Sequence, residues 1–109
     1  MDRAVFVYTT FSNLVEAEAV AKVIVERRLA ACANILPGMI SHYWWQGTVG
    51  RAEEVVALFK TRVALAEDVR AAIRELHSYE VPAISVLPVE SVDSDYLNWL
   101  LESTKPAQG

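Results

Sequence analysis

The run His77-Ser78-Tyr79-Glu80-Val81-Pro82 is the densest group of titratable and hydrogen-bonding side chains in the chain. An imidazole, a phenol and a carboxylate this close together can move protons, hold a cation or wall a ligand pocket. The plainer reading is a helix stop, with Pro82 opening the next strand. Cys32 lies in Ala30-Ala31-Cys32-Ala33-Asn34, where a free cysteine is expected to pack as a small buried hydrophobe. Its alternative role is a metal thiolate, with no second cysteine to assist. The histidines are His42 and His77. A zinc site takes three or four N, S or O ligands, so His77, Cys32 and a carboxylate would serve only if the fold brought them together. Copper outranks other divalent ions at most N/O/S donor sets, so weak copper binding is expected even without a dedicated site. Tyr43-Trp44-Trp45 puts three aromatics in one extended run, with Tyr43 and Trp45 on one face and Trp44 on the other. Such a ribbon is sticky on both faces, and burial against a neighbouring subunit resolves it. No Gly-rich phosphate loop, HExxH, CxxC or nucleophile elbow is present. No nucleophile is paired with a base along the chain, so a non-enzymatic role is expected.

The elements that must position these residues follow from the pattern. Ala4–Thr10 is β-branched and aromatic and reads as a central strand. Asn13 followed by Glu16 predicts a helix start with an acceptor cap and a reciprocal acid. Leu14, Ala17, Val20, Ala21 and Ile24 trace its apolar face as far as about Arg28. Ala31–Leu36 and Met39–Gln46 read as one long strand bent at Pro37-Gly38. Gly47–Gly50 is expected as the turn and Glu54–Thr61 as the hairpin partner. Leu65, Val69, Ala72, Ile73 and Leu76 mark a second helix, broken by Ser78–Pro82. Ala83–Val89 is the fourth strand, and Asp93 or Ser91 caps a last helix carrying Tyr96, Trp99 and Leu100. The order βαββαβ predicts an α+β, ferredoxin-like sandwich with a long hairpin and an extra C-terminal helix. One domain over residues 1–109 is expected, with a flexible tail from about 103 to 109.

The chain has 109 residues, 14 acidic and 10 basic, for a net charge of -4. That balance argues against nucleic acid as a partner. The apolar runs are too short for a bilayer span or a signal peptide, so no membrane association is expected. A lone cysteine forms no internal disulfide, which fits a reduced, cytoplasmic location. An apolar fraction of 53% is high for so small a chain and hints at self-association.

Ala31-Cys32-Ala33-Asn34, Ser41–Gly47 (SHYWWQG), Glu54, Lys60-Thr61, His77–Pro82 and Tyr96-Leu97-Asn98-Trp99, taken in order from Val5 to Leu101, resemble the CutA divalent-cation tolerance family. The resemblance implies a ferredoxin-like subunit in a tight homotrimer whose hairpins pair across subunits. It also implies a role in tolerance of copper and other divalent cations, with no required cofactor. Trp45, Glu54, Lys60, His77, Tyr79 and Glu80 would then lie near intersubunit clefts. Tyr43, Trp44, Trp45 and Trp99 would lie in interfaces. Some family members carry a Cys where this chain has Thr9 and a His where it has Leu76, which leaves His77 as the expected, weak metal ligand with Cys32 a remote second. The motif's usual Pro is Ser78 here. The architecture is also similar to that of PII signalling trimers. A sensor of a small anionic metabolite, drawn to Lys60 and Arg62, is therefore the alternative, and a module that anchors another protein is a third.

Overall fold

β1 (Ala4–Phe11) runs through the middle of the sheet because it is apolar or β-branched on both faces. In the computed structural model, which describes residues 2–105, it is flanked by β3 (Thr48–Arg62) and β4 (Ile84–Pro88). β2 (Cys32–Trp45) pairs with β3, giving an antiparallel sheet in the order β2-β3-β1-β4. α1 (Leu14–Glu26) and α2 (Ala66–Leu76) cover one face, and α3 (Ser94–Ser103) covers one end of the other. This is the α+β, ferredoxin-like arrangement with an extended hairpin and a third helix.

The first face supplies the core. Val7, Phe11, Ala57 and Phe59 meet Ala17, Val20 and Ile24 of α1 and Val69 and Ile73 of α2, all buried. Leu14 departs from the expected pattern: it is 42% exposed, and the buried face of α1 begins at Ala17. Asn13 caps α1 as its sequence predicts, its Oδ1 accepting from the Glu16 N–H at 2.8 Å. Glu16 does not reciprocate. Its carboxylate accepts instead from the Ser12 hydroxyl and, at 2.9 Å, from the Ser78 N–H, which ties the start of α1 to the loop after α2. α1 ends at Glu26, short of Arg28. Arg28 takes φ 59, and the Arg28 and Leu29 N–H groups donate back to Val25 and Ile24, a Schellman closure made without glycine.

The hairpin differs from expectation at its tip. The turn is Gln46-Gly47, both at positive φ, joining Trp45 directly to Thr48 as a two-residue primed turn does. Gly50 belongs to β3, which starts at Thr48 and not Glu54. Pro37-Gly38 is a β-bulge: pairing passes from Leu36–Val56 to Met39–Glu54, with Gly38 at φ 85.

At the far end, α3 packs Leu100, with Tyr96, Leu97 and Leu101, against Ala4 and Ala31. Arg62 fastens it, donating to the Thr104 hydroxyl at 2.9 Å and to the Leu101 carbonyl while pairing with Asp2 at 3.4 Å. The tail expected from residue 103 therefore overlaps packed structure. Ser103 closes α3 and Thr104 is buried, its hydroxyl donating to the Leu100 carbonyl at 3.0 Å. Residues 106–109 of that expectation lie outside the described residues.

Candidate functional site

Strand alternation gives the sheet a second face with Phe6, Tyr8 and Thr10 of β1 and Ala52, Glu54 and Lys60 of β3. The bulge consumes one residue, so Ser41, Tyr43 and Trp45 join Asn34 and Leu36 on this face. α3 reaches only the Lys60 end. At the opposite end, the loop between α2 and β4 rises beside the sheet and leaves a cleft of about 520 Å³. Its floor is Tyr8, Thr10 and Ala52. Its walls are Tyr43, Trp45 and Glu54 on one side and Tyr79, Glu80 and Val81 on the other.

His77 builds the loop wall from beneath. Its ring stacks on Phe11, with centroids 4.5 Å apart and planes within 10°. The Tyr79 N–H donates to Nδ1 at 3.0 Å, so that nitrogen carries a lone pair. The proton then sits on Nε2, which donates to the Thr10 carbonyl at 2.6 Å. Both ring nitrogens are thus engaged within the chain. The same ring supports Tyr79, 4.6 Å away, whose hydroxyl donates to Glu54 Oε2 at 2.7 Å across the cleft mouth. Burial, then the Glu54 carboxylate, pushes the Tyr79 hydroxyl well above its ordinary value, so it stays a donor.

Gly50 explains how Tyr43 is aimed. It sits opposite Tyr43 in the ladder, and a Cβ there would lie 3.0 Å from the Tyr43 ring. The phenol lies across the bare glycine and into the cleft.

The structure thus brings together five of the residues singled out from sequence: Tyr43, Trp45, Glu54, Tyr79 and Glu80. Tyr8, Thr10 and Ser41 were missed. Period-two alternation along β1 and β2 was their only signal. Lys60 is elsewhere: its ammonium stands 5.2 Å from the Phe6 ring centroid and 5.6 Å from that of Tyr96. Arg62 is occupied by α3. An anionic metabolite would meet no Lys or Arg among the cleft's lining residues. Cys32 is only half-buried, its Sγ 3.7 Å from the Tyr96 hydroxyl. Trp99 stands on α3 beside Tyr96, at 5.5 Å, and Trp44 points away from the cleft on the other hairpin face.

The copper positions implied by the resemblance fit a soft cation poorly. Thr9 offers a buried hydroxyl that makes no hydrogen bond among the described residues, Leu76 offers no donor, and His77 has both nitrogens bonded. Among the described residues, no three His, Cys, Asp or Glu side chains converge as a metal cage.

The fold and the hairpin cleft define a ferredoxin-like α+β chain with an extended hairpin, and comparison with known proteins fixes the family. The profile described as CutA1 divalent ion tolerance protein matches residues 5–103. The chain belongs to the CutA1 divalent ion tolerance family. It is 46% identical over 101 residues to the divalent-cation tolerance protein CutA of Pyrococcus horikoshii, covering 93% of this chain and 98% of that one. The solved structure of the periplasmic divalent cation tolerance protein CutA from Archaeoglobus fulgidus superposes with a TM-score of 0.91 at 37% identity, covering 94% and 100% of the two chains. The chloroplastic protein CutA 1 of Oryza sativa subsp. japonica is 36% identical over 102 residues, which cover 94% of this chain and 58% of that protein.

Proposed function

We propose that this chain is a non-enzymatic, cytoplasmic protein of divalent-cation tolerance that works as a homotrimer. The carrying observation is the apolar surface of the hairpin. Trp44 is 75% exposed, Val49 59% and Leu36 50%. β2, fourteen residues long, is also an unpaired edge along its outer side. An edge this long and apolar is a template for another strand unless it is covered, and a second and third copy of the hairpin would cover it. Membership of the cation-tolerance family supports the role, and Cys32 as the lone cysteine supports the compartment. No helix among the described residues is long and apolar enough to cross a membrane.

Cation binding by a single subunit is weak in this reading, because His77 must surrender a hydrogen bond to Tyr79 or Thr10 before it can ligate copper. Sedimentation equilibrium at micromolar concentration tests the assembly. A mass three times the 12.1 kDa chain is expected, and a monomer mass refutes it. Copper titration tests the second part: affinity no tighter than micromolar is expected, and a nanomolar site lost in His77→Ala would overturn it.

A further inference from the structure

We propose that the cleft between the open sheet face and the loop after α2 binds an organic cation, a primary amine or methylated ammonium. Charge points there first. Glu54 and Glu80 line the cleft, and no Lys, Arg or His does among the described residues. Glu54 is held by the Tyr79 hydroxyl at Oε2, while its Oε1 and both oxygens of Glu80 have no partner among the described residues. A carboxylate fixed through one oxygen presents the other to a donor at little further cost in side-chain freedom.

The rings point the same way. Tyr8, Tyr43, Trp45 and Tyr79 surround the space before the carboxylates. Aromatic faces attract ammonium groups, and methylated ones most usefully, because these give up little hydration. A volume of about 520 Å³ suits a small organic molecule. A bare calcium or magnesium ion asks for six or more close oxygens in a tight shell, whereas two carboxylates flanked by rings leave most of that shell empty. The cleft lies at the loop end of the open face, beside the hairpin surface that the trimer reading covers, and the inference rests on that reading only in that the cleft must stay open in the assembly.

The test is calorimetric titration of the purified, assembled protein with tert-butylammonium chloride and with tert-butanol, its neutral isostere. Sodium phosphate and calcium chloride serve as further probes. Saturable binding of the ammonium is expected, at least about tenfold tighter than the alcohol, with no heat from phosphate. Trp45→Leu should weaken it about threefold to thirtyfold, the range of one cation–π contact. Glu54→Gln keeps an acceptor for Tyr79, and Glu80→Gln alters an exposed loop residue, so both leave the fold standing; each should weaken binding about threefold or more. Equal affinity for the alcohol, indifference to both Gln variants, or calcium binding without ammonium binding would overturn the proposal. A trimer that binds no ammonium, its cleft filled by a basic side chain of a second copy, sinks this inference and leaves the trimer. A monomer that binds it does the reverse.

Discussion

Thr9 shows how much one side chain can leave undone. Its hydroxyl is fully buried on the helix-facing side of β1 and has no hydrogen-bond partner among the described residues. A buried polar group without a partner costs about 1–3 kcal/mol. Thr9→Val keeps the shape and removes the unmet group, so it should stabilise the protein by about 1 kcal/mol. Chemical denaturation of the two proteins side by side checks this, and a less stable variant would mean that the hydroxyl is satisfied in solution. His77 is the opposite case, a ring with both nitrogens and one face in use. From sequence it drew attention as a ligand. In the fold it is the bracket that holds Tyr79 over Glu54, a role no spacing rule announces because its partners, Phe11 and Thr10, are more than sixty residues away.

At the level of the elements, the hairpin turn carries the clearest instruction. Gln46 sits at φ 49 and Gly47 at φ 83, and the first of these is costly for a glutamine. Asn tolerates left-handed backbone better, so Gln46→Asn should stabilise the hairpin by about 0.5 kcal/mol. A matched pair of thermal melts reads the difference, and a lower melting temperature would refute it. The central strand, the Asn13 cap and the bend at Pro37-Gly38 were all legible, because each depends on a few neighbouring residues. The turn was misplaced at Gly47–Gly50 because a glycine serves two purposes here: Gly47 for its backbone, Gly50 for the room it gives Tyr43. The cleft was legible in part. Tyr79 and Glu80 announced themselves as a cluster, but Tyr8 and Ser41 join them only through the register of strands distant in sequence. Lys60 was misassigned for a related reason. It shares a face with Glu54, yet six residues of strand separate them by about 20 Å, and α3 claims that end.

For the molecule as a whole, two tyrosines link the fold to alkaline pH. Burial, then contact with the Cys32 thiol, pushes the Tyr96 hydroxyl up to about 12 from an ordinary value of 10.0, and Tyr79 is raised as well. The unfolded chain loses these protons first. Their contribution to stability is therefore complete below pH 10 and is lost as pH climbs toward 12. Urea midpoints measured between those limits should fall steadily, and Tyr96→Phe should flatten the decline. An unaltered slope in that variant would show that Tyr96 titrates normally in the fold. Tyr96 belongs to α3 at one end and Tyr79 stands over the cleft at the other, so base loosens both ends of the open face together.

The bulge at Pro37-Gly38 has a use beyond bending a strand. It works as a slip joint between two halves of the hairpin, one indexed by the core and the other by the Gln46-Gly47 turn. Taking Pro37 out would leave Gly38 alone opposite Val55 and let the ladder run straight from Leu36 to Met39, with every pairing beyond it preserved. The chain can thus lose a residue at that point while Tyr43 and Trp45 keep their station beside Glu54. The same loss anywhere between Met39 and Trp45 would have to be taken up by drawing the slack out of the joint, turning over the side chains in between. The length of this arm is adjustable at one place only, and that place lies outside the cleft it serves.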